Sequence, residues 1–317
     1  MKRLGVIGTM VWDRIYRRAP LTAAPVEEWG GIAYALAGLE AGLPDGWEVV
    51  PLVRVGRDLS AEAERFLREL SRCAPTARFI EVPHDNNRVT LRYESDLRRT
   101  ERMAGGVPPW TWPELGPLLH DLDALYVNFI SGFEMTLETA QQLRHGFPGP
   151  IYADLHSLLL GITRTGHRFP QTLPQVAAWL ACFDVVQANE DELALVGDDP
   201  MAVAALALGA GVGLLLVTVG ARGVVYFTQG AFGFDRRRRS PAAGPIETAR
   251  VPAADVVTDG DPTGCGDVFG ATMVAGLLAG HPVPTAVREA NAAAGRNLRH
   301  RGATRLHHHL RGAIAPR

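Results

Sequence analysis

Short apolar runs rich in Val, Leu and Ile alternate along this chain with longer stretches whose apolar residues recur at helical spacing. No other feature narrows the fold as much. Leu4–Ile7, Val49–Val53, Leu125–Phe129, Ile151–Ala153, Val185–Gln187 and Leu214–Val219 read as strands buried on both faces. Residues 31–42, 59–72, 136–145, 171–181, 200–209, 265–279 and 284–300 read as helices. The alternation predicts an α/β fold with a mostly parallel sheet covered by helices on both faces. Ligands of such sheets bind beyond the C-terminal ends of the strands. Residues at strand ends and helix starts therefore carry the functional expectation.

One region breaks the rhythm. Arg88–Met103 alternates apolar and polar residues in its first half and is charged throughout. It predicts one or two exposed antiparallel strands with a turn near Glu94–Asp96, and Val11–Tyr16 supplies a further strand of this kind. The Pro/Gly-rich breaks Gly105–Pro109, Gly146–Pro150 and Ser240–Pro245 are too short to be flexible interdomain linkers. A single domain over residues 1–317 is expected.

Composition removes several function classes. The formal charge is −2, so no global field recruits nucleic acid or an anionic membrane. Aromatics make up 7%, with no stripe that alternates with basic residues to stack single strands. No apolar run approaches the roughly 18 residues that span a bilayer. Cys73, Cys182 and Cys265 are far apart and odd in number, which suits a reducing compartment and predicts a cytoplasmic location. Neither a phosphate loop with Gly-Lys-Ser/Thr nor a dinucleotide Gly-x-Gly-x-x-Gly fingerprint occurs, which disfavours a nicotinamide-dependent oxidoreductase. Arg236–Arg239 reads as a solvated cluster or a phosphate attractor, and His307–His309 as an adventitious metal binder.

Asp261-Pro262-Thr263-Gly264-Cys265-Gly266-Asp267 runs straight into the helix expected from 265. A helix start offers unpaired N–H groups and the positive end of the macrodipole, and glycines let that backbone approach a ligand closely. Together they suit phosphate, or the charge on a phosphoryl group in flight. Asp267 lies in the first turn, where it either caps the helix or accepts a proton from an attacking alcohol. A thiol at a helix start is activated, so Cys265 is expected to label readily and to be shielded by bound nucleotide. Asn189-Glu190-Asp191-Glu192 opens another helix after a strand, which suits either capping or a hydrated hard cation. Val217–Val224 reads as a strand, a glycine turn and a second strand.

The 261–267 segment closely resembles the D-T-x-G-A-G-D signature of the ribokinase-like (phosphofructokinase-B type) carbohydrate kinases, with Cys265 in place of the usual alanine. Asn189 and Glu192 resemble the family's N-x-x-E element, and Thr218, Gly220 and Gly223 its T-x-G-x-x-G segment. Gly8–Asp13 resembles its first strand. Gly30 and Gly31 resemble its G-G-x-x-x-N signature, with Ala35 where the family has Asn. The resemblance implies a three-layer ribokinase-like fold with a small β-sheet lid, here about 11–31 and 88–103. It implies transfer of the γ-phosphate of ATP to a hydroxymethyl group of a sugar or nucleoside. Asp267 would be the base, and the N–H groups of Gly264, Cys265 and Gly266 the anion hole. Asp261 would organise the phosphate region and a monovalent cation such as K⁺. Asn189 and Glu192 would hold Mg²⁺ through water. Thr218, Gly220, Gly223 and Asn291 would border the nucleotide, and Asp13, Gly30 and Gly31 the acceptor. Ala35 leaves the acceptor's identity open, with Arg92, Asn128 and His156 as other side chains that reach in. A homodimer through the lid is also left open. The reading from a different class is a nucleotide- or sugar-binding sensor of the same fold without transferase activity. The intact Asp267 weighs against it.

Overall fold

The computed structural model describes residues 1–16, 24–75, 79–93, 99–235, 244–253 and 260–312. Its strands are β1 (Lys2–Tyr16), β2 (Val26–Gly31), β3 (Trp47–Gly56), β4 (Ile80–Val82), β5 (Arg88–Tyr93), β6 (Arg99–Ala104) and β7 (Ala124–Asn128). They continue with β8 (Ile151–Asp154), β9 (Leu160–Ile162), β10 (Arg168–Pro170), β11 (Val185–Asn189), β12 (Leu214–Thr218), β13 (Val224–Gln229) and β14 (Ile246–Val251). The α-helices are α1 (Ile32–Gly42), α2 (Ser60–Arg68), α3 (Trp112–Leu115), α4 (Leu137–Gly146), α5 (Val176–Leu180), α6 (Glu190–Ala194), α7 (Pro200–Gly209), α8 (Cys265–Leu278), α9 (Val283–Asn297) and α10 (Leu306–Leu310).

The central sheet runs β14-β13-β12-β11-β8-β7-β1-β3-β4. Pairing is parallel from β12 to β4 and antiparallel at the β12-β13-β14 edge. Because side chains alternate across a strand, each apolar strand feeds two cores. On β7, Ala124 and Tyr126 pack with α1, α8 and α9, while Leu125 and Val127 pack with α4, α5 and α7. This is the expected three-layer α/β arrangement. Among the described residues no helix is long and apolar enough to cross a membrane.

The first strand is much longer than the expected Leu4–Ile7. Its first part pairs with β3 and β7 inside the sheet. From Met10 onward it pairs with β2, and from Trp12 with β5, which pairs with β6. One strand thus belongs both to the sheet and to the small sheet expected as a lid. The expected turn near Glu94–Asp96 and the Arg236–Arg239 run lie outside the described residues. A hairpin of β9 and β10 that the sequence pattern did not signal docks on β6, where Met103 N donates to Gly166 O at 2.8 Å. The helix expected over 171–181 shrinks to α5, because the loop that follows β10 occupies its first turn.

Helices α1 and α8 lie side by side, and small residues permit the contact. A Cβ on Gly38 of α1 would lie 2.9 Å from the Ala271 Cβ of α8. Neither atom ends a flexible side chain, so the helices themselves must part to admit bulk. Gly38→Val is expected to lower unfolding free energy by about 1–3 kcal/mol, the usual range for overpacking. Urea denaturation of the two proteins checks it.

Candidate active site

The ends of β7, β8 and β11 meet the starts of α1 and α8, and the conjunction begins with Gly264. This N-cap residue of α8 has φ +78°, and a Cβ there would lie 2.2 Å from Tyr34 Cδ1. Only glycine meets both demands. The loop before it is fixed from α9. Asp261 N donates to Leu298 O at 2.8 Å, Thr263 N to Asp261 Oδ1 at 3.1 Å, and Asn297 Nδ2 to Thr263 O at 2.9 Å. Cys265 N turns back to Pro262 O at 3.2 Å, so the expected anion hole rests on the neighbouring Gly264 and Gly266. Gly266 differs from Gly264. A Cβ there meets nothing closer than Gln187 Nε2 at 3.8 Å, so the fold does not require this glycine.

Asp267 stands in the first turn of α8, half-buried. Its Oδ1 accepts from Asn128 Nδ2 at 2.7 Å. Asn128 ends β7, is fully buried, and also donates to the Tyr126 hydroxyl at 3.2 Å. Gln187 of β11 braces the same helix start, with Nε2 donating to Gly266 O at 3.0 Å and to Asp154 Oδ2 at 2.8 Å. The Tyr152 hydroxyl donates to Gln187 Oε1 at 2.6 Å. One polar residue in an otherwise apolar strand forms no motif, so the bracing by Gln187 and the hold of Asn128 on Asp267 were not legible beforehand.

Next to this network, Asn189 and Glu192 form a reciprocal cap of α6. Asn189 N donates to Glu192 Oε2 and Glu192 N to Asn189 Oδ1, both at 2.8 Å. Asn189 Nδ2 donates to Glu192 Oε1 at 2.7 Å, and His156 Nδ1 lies 2.8 Å from that oxygen. Burial opposes charge on His156. The Glu192 hydrogen bond and the charges of Glu192, Asp154 and Asp267 outweigh it and push the imidazole up to about 10. Burial, then the Glu192 charge, pushes the Asp154 carboxyl well above the usual carboxylate range. No group of three His, Cys, Asp or Glu side chains that could hold a metal ion exists among the described residues, His307–His309 included. Both Glu192 oxygens already accept hydrogen bonds. This donor set fits a hydrated Mg²⁺ held through water and not an ion bound directly.

Thr218 ends β12 in register with Asn189. The turn that follows joins antiparallel β12 and β13, as the glycine pattern predicted. Gly223 is required there, since a Cβ would lie 2.1 Å from Val251 O. Asn291 Nδ2 donates to Val251 O at 3.3 Å and Pro252 O at 3.2 Å, which brings α9 to the same edge. Arg222 between the two glycines of the turn pairs with Glu190 and accepts from Arg250 through its carbonyl. Asp13 and the glycine pair lie on the lid side. A Cβ on Gly30 would lie 1.8 Å from Asp13 Oδ2, so the buried carboxylate lies across that glycine. Gly31, with φ +57°, starts α1 against Thr9 O.

A sequence model of the pfkB family carbohydrate kinases matches residues 165–309. The ribokinase of Thermotoga maritima superposes with a TM-score of 0.71 at 18% identity, over 98% of this chain and 99% of that one. The fold is ribokinase-like. A pyrophosphate-dependent kinase of the ribokinase family gives a TM-score of 0.75 at 17% identity, over 99% of this chain and 100% of its own. Arabidopsis thaliana ribokinase, complexed with ribose and ATP, gives 0.68 at 16% identity over 96% of both chains. No curated protein sequence matches the chain. The ribokinase-like fold and the family match bear out the resemblance read from the motifs.

One expectation fails. The Cys265 thiol points into the protein, 3.5 Å from Ala294 O, and accepts from Asn297 Nδ2 at 3.3 Å. Burial first, then the charges of Asp261 and Asp267, push it up to about 11 against the lowering effect of Asn297. Desolvation and two carboxylates thus overcome the helix start. Burial likewise pushes Cys73 up to about 12 and Cys182 to about 11. A thiol raised this far is deprotonated only as the pH climbs past its ordinary range. At pH 8 all three are expected to react about 10²-fold more slowly or worse in the folded protein than after denaturation. Timed thiol titration with and without urea measures this.

Proposed function

We propose that this chain is a kinase that transfers the γ-phosphate of ATP to a hydroxymethyl group of a small polyol, sugar or nucleoside. The observation that carries the reading is Asp267, a carboxylate held by Asn128 in the first turn of a helix whose N-cap is a glycine. A carboxylate beside an anion site repels the anion unless it has a task. Taking the proton of the attacking hydroxyl is that task. Asn128 fixes the orientation of the carboxylate, and Gln187 holds the Gly266 carbonyl back so that the N–H side of the turn faces the transferring group. Hydrated Mg²⁺ beside Glu192 and Asn189 neutralises donor phosphate oxygens when bound. Thr218, Gly220, Gly223 and Asn291 border the donor, and Asp13 orients the acceptor beneath the lid strands.

The test is phosphoryl transfer from Mg·ATP, and in parallel from pyrophosphate, to D-ribose, D-fructose, myo-inositol and inosine. Pyrophosphate is the rival donor because the pyrophosphate-dependent relative shares the fold along its whole length. Turnover from ATP is expected with at least one acceptor, and Asp267→Asn is expected to lower it on the order of 10²–10⁴-fold. ATP binding without transfer to any acceptor would favour the binding-only sensor. Gly266→Ala isolates the anion site. Its methyl has room within the fold but intrudes where a phosphoryl group approaches. An unchanged melting temperature with transfer reduced ~10²-fold is expected. Unchanged transfer would remove Gly266 from the site.

A further inference from the structure

The acceptor side lacks a side-chain amide where the family resemblance places one. Ala35 is fully buried within the apolar core and brings no polar group. Its neighbour Tyr34 belongs to the same buried cluster but also reaches the start of α8. The ring lies flat against Gly264, whose added Cβ would sit 2.2 to 2.6 Å from Cδ1, Cγ and Cε1. The residue is 2% exposed. Among the described residues its hydroxyl has no hydrogen-bond partner, yet it is not one of the fully enclosed polar atoms left unsatisfied. The remaining exposure therefore includes this oxygen. The charges it feels are those of Asp13, Asp261, Asp267 and Glu28. Burial and then these carboxylates push the phenol far above its ordinary range, so it stays neutral and keeps its proton.

Four carboxylates can only accept hydrogen bonds, whereas a hydroxyl that is held firmly also needs a donor. Tyr34 brings one to a place where a guanidinium or ammonium would instead be drawn into ion pairs with Asp13 or Asp267. We propose that Tyr34 is the specificity-determining residue for the acceptor: its hydroxyl donates to one hydroxyl of an uncharged vicinal diol while the Asp13 carboxylate accepts from the adjacent one. The acceptor class is a neutral polyol, since a phosphorylated acceptor would meet the carboxylates with like charge. The inference rests on the kinase reading above.

The test uses whichever of D-ribose, D-fructose, myo-inositol and inosine the wild-type protein turns over fastest, together with its monodeoxy analogues. Tyr34→Phe keeps the ring and its packing on Gly264. It is expected to raise the acceptor KM about 10- to 100-fold and leave the donor KM unchanged. One monodeoxy analogue is expected to lose the same factor with wild type and nothing further with Tyr34→Phe. A variant with unchanged acceptor KM overturns the inference while the kinase reading stands. If Tyr34→Phe fails to fold, wild type alone decides: equal kcat/KM for the parent and every monodeoxy analogue overturns it. No turnover on any of the four acceptors by wild type overturns both readings.

Discussion

The contact between α1 and α8 is the constraint on which the rest of the site depends. It joins two segments more than two hundred residues apart in sequence. Gly38 lets the helices approach at Ala271, and Gly264 lets the Tyr34 ring lie over the start of α8. Both helices begin at a glycine with positive φ, Gly31 and Gly264, and neither start has a side-chain cap. Two sets of unpaired backbone donors therefore open into the same region, where a capping Ser or Asp would have consumed them. The stability that a cap provides, ~1 kcal/mol each, is forgone at both places. Close packing of small residues along the two helices is what offsets that loss.

The sheet supplies the complementary half. In a parallel sheet the C-terminal strand ends lie together, so their final residues form a row. Here Asn128, Asp154 and Asn189 end their strands and Gln187 lies in register with Asp154, and hydrogen bonds link this group to Asp267, Gly266 and Glu192. The chain of contacts from Tyr152 through Gln187 to Gly266 transmits the position of the sheet to the first turn of α8. A helix start anchored only by its own loop would fray. This one is braced by a buried glutamine on one side and by Asn297 on the other. His156 adds a cation beside Glu192 and Asp154. Even beside this cation, burial and the Glu192 charge push the Asp154 carboxyl well above the usual carboxylate range, so the strand ends do not carry three full negative charges.

The parts of this arrangement that repeat were legible in the sequence. Strand–helix alternation and the 261–267 segment sufficed for the fold class and for the helix start at Cys265. What was not legible depended on partners distant in the chain. The Val11–Tyr16 strand was expected, but not that it continues β1 without a break, passing at Met10 from the central sheet into the small sheet. The β9-β10 hairpin carries no turn signature strong enough to stand out, and its register comes from docking on β6. Cys265 was misread because the position at a helix start was weighed alone. Its rotamer, which buries the sulfur against α9 beside two aspartates, decides its acidity. Tyr34 was passed over since the motif directs attention to position 35. Only the structure shows that it is the neighbour, Tyr34, whose ring packs on Gly264.

The electrostatic balance of the cleft separates what the protein supplies from what its ligands must bring. The charges of Asp13, Asp261, Asp267 and Glu28 all act on Tyr34, and Glu192 stands at a neighbouring strand end. Negative charge concentrated in this way raises the cost of admitting a bare polyphosphate. Under the kinase reading, a donor that arrived with its own divalent cation would meet far less repulsion, and among the described residues the start of α8 and His156 would supply positive potential to it. A neutral hydroxyl compound incurs no such cost on the opposite side. The carboxylates near Tyr34 also disfavour the loss of its proton.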